Sequence, residues 1–212
     1  SGFMKEKLVE NKIDENKINI IPNIVNFSTK RQQKKNNKVL KILYLGLFIE
    51  NKGILILLKA LKEIKEDYIC NLYGDGPLLK EITEFIKLNK LENKIVINKR
   101  VPYGEVSKLI NDHDIIVQPS LVAEALPRTV LDGMANKKLV ITTNRGGMRY
   151  IIENNVDGII FNPENKEELV ESIKKSFSSK FREKIGNRAY KKVYDLTNES
   201  KVISELLKVY NN

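Results

Sequence analysis

The stretch VLKILYLGLFIENKGILILLKALKEIKE, residues 39–66, decides the fold. Its first eight residues, VLKILYLG, are apolar on both faces, as strands buried in a parallel sheet are. Its second half has a different period. Ile54, Leu57, Leu58, Leu61 and Ile64 recur at spacings of three and four, so a helix over 52–66 places them on one face. Leu55 and Ala60 widen that stripe enough to cover a sheet. The unit is a strand followed by an amphipathic helix.

The unit then repeats. Strand YICNLYG (68–74) precedes helix 77–90, strand KIVIN (94–98) precedes helix 104–113, and strand DIIVQP (114–119) precedes a helix beginning at Pro127. Strand KLVITT (138–143) precedes helix 147–154, and strand GIIF (158–161) precedes helix 165–177. This alternation predicts an α/β fold: a Rossmann-like, doubly wound parallel sheet of about six strands, flanked by helices and joined by right-handed crossovers. The 212 residues, 42% of them hydrophobic, suffice for one large domain or two small ones. Residues 1–38 read as a lead-in: a short helix (MKEKLVEN), a strand-like INIIPNIVN and a basic linker TKRQQKKNNK. Residues 39–178 form the Rossmann-like unit, and 179–212 hold two closing helices, within 179–195 and 198–211.

The net charge of +10 favours anionic partners: nucleic acid, phosphorylated small molecules or an acidic membrane face. A solvated basic surface, including the run Lys30-Arg31-Gln32-Gln33-Lys34-Lys35, accounts for most of it. Without Trp, and with 7% aromatics, the chain is poor in base-stacking material, so nucleic acid ranks last. The single cysteine, Cys70, excludes a disulfide framework, fits a reduced cytosolic setting and reads as a buried small hydrophobe. One His and one Cys make a zinc site improbable, and His113 reads as a loop or helix-end residue. No apolar run reaches the ~18 residues that span a bilayer, and SGFMKEKLVENK lacks the apolar centre of a signal peptide.

In such sheets ligands bind at the carboxyl ends of the strands. There lie Gly46-Leu47-Phe48, Tyr73-Gly74-Asp75-Gly76-Pro77, Lys99-Arg100, Pro119-Ser120 with Glu124, and Thr143 to Gly147. Gly74-Asp75-Gly76-Pro77 is either a plain turn or a close approach of backbone to a ligand. Gly146-Gly147 is an anion nest or a loop. Lys52, at a predicted helix start, is disfavoured by the dipole, which points to an anion between it and the helix, unless it is simply solvated. Residues 121–137, LVAEALPRTVLDGMANK, carry more. Pro127 suits the first helical position, leaving free N–H groups near Arg128, Thr129 and Val130. A phosphate there would gain donors and the dipole. Glu124 and Asp132 would then hold hydroxylated groups on either side, since two acids repel an anion unless hydroxyls engage them. The alternative is two acids that merely complement the dipole.

The ordered series LYLGLFIENKG, NLYGDGP, DIIVQPS with EALPRTVLDGMA, and TTNRGGMRYIIENNVDGIIFNPEN resembles the C-terminal, donor-binding domain of retaining GT-B glycosyltransferases of glycosyltransferase family 4. SGFMKEKL and INIIPNIVN resemble the end of that family's N-terminal domain and its interdomain crossing, and LTNESKVISELLKVY its final crossover helix.

The resemblance implies a nucleotide-diphosphate sugar as substrate. Glu124 would hold hydroxyls of the transferred sugar, Asp132 the ribose, and Lys52 the departing diphosphate. Gly46, Gly74, Gly76, Arg100, Leu126, Pro127, Arg128, Thr129 and Val130 would complete the donor site. It implies no cofactor and no metal. It also implies a cytoplasmic protein, with a glycan or lipid-phosphate acceptor bound by an N-terminal domain preceding Ser1, and a peripheral place at the inner membrane face that the basic charge would suit. The isolated chain is then expected to bind donor weakly and turn nothing over. This sequence departs from the family pattern at Leu47, where Arg is usual, at Lys99 and Ala125, where Gly is common, at Asp132 in place of Glu, and at Tyr150, where an acid is frequent. Lys99, Arg100 or Arg128 could supply the charge absent at Leu47. Two other readings share the architecture: a non-catalytic partner or scaffold subunit, and a nucleotide-sugar epimerase.

Overall fold

The structure, a computed structural model, describes residues 1–25, 27 and 39–211. The basic linker 29–38, with the run Lys30 to Lys35, lies outside the described residues. Six strands, β1 (Leu40–Leu45), β2 (Tyr68–Tyr73), β3 (Ile95–Asn98), β4 (Ile115–Gln118), β5 (Leu139–Thr143) and β6 (Ile159–Phe161), form one sheet in the order β3-β2-β1-β4-β5-β6. Every pairing is parallel. The chain builds outward from β1 to β3, then returns to β4 on the other side of β1. The crevice where ligands bind in such sheets therefore opens above β1 and β4.

The helices are α1 (Gly2–Glu10), α2 (Ile54–Leu61), α3 (Leu79–Leu88), α4 (Tyr103–Asn111), α5 (Arg128–Ala135), α6 (Met148–Ile151), α7 (Lys166–Lys175), α8 (Ser179–Thr197) and α9 (Glu199–Tyr210). Side chains alternate across a strand, so each strand feeds two cores. Leu40, Ile42 and Tyr44 of β1, with Ile115, Val117, Leu139 and Ile141, join Leu57, Leu58 and Leu61 of α2 and Leu169 and Ile173 of α7. Leu43, Ile116 and Val140 face the other way, against Val130, Leu131 and Met134 of α5 and Ala189 and Val193 of α8. The doubly apolar strands of the sequence are thus explained by helices on both faces. Truncating a fully buried Leu57 or Leu58 to Ala would cost about 2–5 kcal/mol.

Three predicted elements differ. The helix expected over 52–66 is α2, which begins only after Gly53. Glu50–Lys52 form a separate 3-10 turn, and Gly53 sits at φ 68 between the two. A Cβ on Gly53 would lie 1.8 Å from the Pro119 carbonyl oxygen, so the β4 loop can pass only over a glycine. After Leu61 the N–H groups of Glu63 and Ile64 bond three residues back, a tighter turn that still buries Ile64. The strand-like INIIPNIVN forms no strand over its described residues: 18–25 pair with no edge, Ile20 and Ile24 stay exposed, and Val25 alone is buried. The helix expected over 147–154 is the single turn α6, because Ile152 turns extended at φ −105, ψ 125. The other boundaries lie within about two residues of those read from sequence.

The amino ends of the strands carry a buried polar cluster. Asp114 accepts from the Lys41 N–H at 2.9 Å and pairs with Arg182 at 3.5 Å. Burial pushes the Lys138 ammonium down to about 8, against the nearby Asp114 and Asp112. Its Nζ donates to the Asn111 carbonyl at 3.1 Å. His113, at the end of α4 where the sequence places it, is buried here too. Its Nδ1 meets the Leu109 carbonyl at 2.7 Å and its Nε2 the Asn71 amide at 3.0 Å, which selects the neutral ring, and burial lowers its pKa. Cys70 is fully buried and burial raises its thiol. Among the described residues no helix is long and apolar enough to cross a membrane.

Candidate functional site

A cleft of about 390 Å³ lies at the carboxyl ends of the strands. Leu45, Gly46 and Leu47 enter it from the end of β1, Tyr73 and Gly74 from β2, and Arg100 and Tyr103 from the segment after β3. Gln118 closes β4 and Glu124 follows it, and Pro127 to Thr129 with Asp132 supply the start of α5.

Pro127 is the residue before α5, with φ −63 and ψ 130, so it caps the helix and does not begin it. The correction is one position, and its consequence is specific. The Val130 N–H bonds back to the Pro127 carbonyl at 3.1 Å and its side chain is fully buried, which removes Val130 from the set of free donors. Among the described residues the N–H groups of Arg128 and Thr129 have no partner. Two unfilled donors at the positive end of a helix dipole face the cleft, a site suited to an anion.

Each carboxylate is held from outside its own segment. Asp132 is buried, 4.0 Å from Arg128 Nε, and accepts from the Tyr103 hydroxyl at 3.3 Å. Burial raises the Asp132 carboxyl above its usual range, while Arg128 and then Tyr103 pull it down. The Arg128 guanidinium lies 4.2 Å from the centre of the Tyr103 ring. Across the cleft Glu124 Oε2 accepts from Lys52 Nζ at 2.9 Å. Lys52 ends the 3-10 turn and so does not oppose a helix dipole; the anion its position called for is Glu124. Tyr44 packs beneath, its hydroxyl donating to the Leu47 carbonyl at 2.9 Å, and burial first, then Glu124, raise its phenol.

The Gly146-Gly147 pair is a clamp on this loop. The Gly147 N–H donates to the Glu124 carbonyl at 2.7 Å, and a Cβ there would stand 1.7 Å from the Ala125 oxygen. The loop that carries Glu124 is therefore pinned by backbone contact.

Three side-chain atoms among the described residues are buried without a hydrogen-bond partner: Gln118 Oε1, Glu124 Oε1 and Arg145 Nε. The first two belong to residues that line the cleft, and both are acceptors. An orphaned buried polar atom costs about 1–3 kcal/mol. Two such acceptors on residues that line one cleft suit a ligand that donates hydrogen bonds, as a polyol does.

Of the residues read from sequence, Gly46, Lys52, Gly74, Arg100, Glu124, Pro127, Arg128, Thr129 and Asp132 meet in this cleft. Gly76, Leu126 and Val130 are absent from its lining. Gly76 lets its loop pass the Phe48 backbone, and Leu126 packs on the α5 side of the sheet and walls a different cavity, beside Pro22 and Tyr150. Lys99 is exposed and lies outside the lining, so of the three cations that could replace the charge absent at Leu47 only Arg100 and Arg128 line the cleft. Leu47 lines it, 43% exposed. The reading missed Tyr103 and Gln118. No local pattern marks Tyr103, whose partners stand 25 and 29 positions on, whereas Gln118, a polar residue closing an otherwise apolar strand at its ligand end, was a usable signal.

This Rossmann-like sheet with its cleft at the switch point is the fold of GT-B glycosyltransferases. Residues 26–192 match the model of the family described as glycosyl transferases group 1, and the chain belongs to that family. It is 32% identical over 167 residues to an uncharacterized glycosyltransferase of Methanocaldococcus jannaschii, covering 79% of this chain and 46% of that protein. A crystal structure of a glycosyltransferase from Rickettsia africae superposes with a TM-score of 0.86 at 31% identity, covering 99% of this chain and 61% of that one. Anabaena HepE, solved in complex with UDP and glucose, has the same fold, with a TM-score of 0.77 at 19% identity over 82% of this chain and 48% of that one. The chain spans about half the length of the curated relatives it matches.

Proposed function

We propose that this chain is the donor-binding part of a glycosyltransferase that moves a sugar from a nucleotide-diphosphate sugar to a glycan or lipid-linked acceptor with retention, in polysaccharide or glycoconjugate synthesis. The observation that carries it is that residues with unfilled donors and residues with unfilled acceptors line one cleft: the Arg128 and Thr129 N–H groups at the start of α5, and Gln118 Oε1 and Glu124 Oε1. The first pair suits a diphosphate, the second the hydroxyls of a sugar. Asp132, held by Tyr103 on the far side of the helix start, suits the ribose diol.

The free protein keeps Lys52 on Glu124. A diphosphate arriving at the helix start would draw Lys52 away and release both Glu124 oxygens to the sugar. Lys52, with Arg128 and the helix dipole, would then stabilise the leaving diphosphate electrostatically, without a metal. The Anabaena protein of like fold was solved with UDP and glucose, which supports a nucleotide-sugar ligand.

Calorimetry with UDP, GDP, ADP and their sugars tests the donor. Binding of one nucleoside diphosphate at millimolar concentration or tighter, unaffected by a chelator, is expected; silence across the panel in a folded sample refutes it. Retention is tested separately, by the anomeric configuration of product made by the complete protein. Leu47 in the cleft favours a second reading, a partner subunit that binds donor without transferring it. Introducing Leu47→Arg into the complete protein separates the two, since only a transferase should gain turnover.

A further inference from the structure

Among the described residues the positive charge is concentrated on one helix. The described residues hold 32 basic and 27 acidic side chains, a net of +5. Of these, α8 alone contributes six basic residues and two acidic ones, a net of +4. The remainder of the described chain is close to neutral. The position of the charges within α8 is as uneven as their number. Lys180, Lys184, Arg188 and Lys191 recur at spacings of four, four and three, so they share one stripe. The buried positions Ile185, Ala189 and Val193 lie on the opposite side, packed on the sheet.

The stripe therefore faces outward, and all four side chains are exposed. Among the described residues none of the four makes an ion pair, whereas Arg182 and Lys192 of the same helix, which lie off the stripe, are paired to Asp114 and Asp157. The two acids of α8 are Glu183, on its flank, and Asp195, at its end. From Lys180 to Lys191 the row runs about 16 Å along the helix at ~1.5 Å per residue. Neighbouring charges sit closer than the ~8 Å screening length of physiological salt and act together.

We propose that the outer face of α8 docks the protein onto an anionic lipid surface. A straight row of long, flexible cations on a convex helix fits a plane of headgroups, which can meet all of them at once. It offers no groove for a duplex. Nor does it offer a free ring for bases: Tyr194, beside the row, is stacked on Tyr190 and met edge-on by Phe27. The half-exposed Tyr194 suits the headgroup level, where such rings collect. The surface is distinct from the cleft, and its role stands or falls without the sugar-transfer reading.

The test is co-sedimentation with vesicles of equimolar phosphatidylglycerol and phosphatidylcholine, against phosphatidylcholine alone. The protein should bind the anionic vesicles and release them in salt. Each Lys or Arg near such a surface contributes on the order of fivefold in partition. Lys184→Glu/Arg188→Glu should therefore lower binding by roughly a hundredfold or more. Lys59→Glu/Lys62→Glu, the same charge change at exposed sites of α2 and the turn after it, should lower it far less. Lys180→Gln/Lys191→Gln, a milder pair, should fall between them. Equal losses for the α8 and α2 pairs would mean that only net charge matters and would overturn the proposal. So would wild-type protein that ignores lipid charge, or one whose α8 face binds an oligonucleotide in preference to the vesicles.

Discussion

The Lys52–Glu124 pair yields the sharpest prediction. Its atoms are 2.9 Å apart and the two side chains are 23% and 21% exposed, so it is neither a surface pair nor a sealed one. At an effective dielectric of 20 its gross attraction at 2.9 Å is about 6 kcal/mol. Most of that is offset by desolvation and by the entropy of fixing two long chains. Exposed pairs retain ~0.2–1 kcal/mol and close desolvated ones ~1.5–7, which places this pair at about 1–2 kcal/mol. Diphosphate binding that recruits Lys52 must break it. Glu124→Gln should therefore bind the bare nucleoside diphosphate more tightly, by about 5–30-fold, while Lys52→Ala binds it more weakly. The same Gln variant should lose preference for the nucleotide-sugar over the bare diphosphate, because its side chain no longer presents two carboxylate oxygens to hydroxyls. In urea unfolding the coupling between the two positions should be about 1–2 kcal/mol in free protein and fall toward zero under saturating nucleotide. A Glu124→Gln variant that binds the bare diphosphate no better than wild type would refute the exchange of partners.

Asp132→Asn should be as stable as wild type at neutral pH or more so, since burial already raises this carboxyl, yet bind nucleotide about tenfold or more weakly through loss of a charge-assisted bond. The sign follows from linkage: a raised folded pKa means that stability falls as pH rises through it, and the Asn variant should lack that slope in acid denaturation curves. Lys138→Met should gain up to about 3 kcal/mol at neutral pH, from a shift of 10.5 to about 8, less the lost bond to Asn111. The gain should shrink between about pH 8 and 10.5, where the folded wild-type lysine has shed its proton and the unfolded one has not, so that wild-type stability rises with pH. Gly147→Ala should leave circular dichroism intact and lower the melting temperature by several degrees, with loss of sugar-dependent binding, because its Cβ would displace the loop carrying Glu124.

The sheet was legible because its central strands β4 and β5 are buried on both faces and its helices on one, so period and composition mark each strand and helix even where a helix boundary shifts. The two carboxylates were legible because they flank a helix start that Pro127 marks. What was lost depended on contacts between distant segments. Gly53 looked like the second residue of a helix, and only the Pro119 carbonyl passing above it explains why the helix starts later. The Gly146-Gly147 turn read equally as an anion nest, since nothing local reveals that the Glu124 carbonyl already takes its N–H. Tyr103 could not be found at all without the fold, because the α4 start meets α5 only through the packing of the two helices on the sheet. The lead-in strand failed for the converse reason: INIIPNIVN has strand composition, but its described residues meet no free edge.

The central claim is that a nucleoside diphosphate is held by the start of α5 and takes Lys52 from Glu124. A crystal structure of the chain soaked with the best-binding nucleoside diphosphate tests it most directly. Phosphate oxygens should lie within hydrogen-bond distance of the Arg128 and Thr129 N–H groups and of Lys52 Nζ, with the 2.9 Å contact between Lys52 and Glu124 broken. A nucleotide bound elsewhere, or bound at the helix start with that contact unchanged, would contradict it.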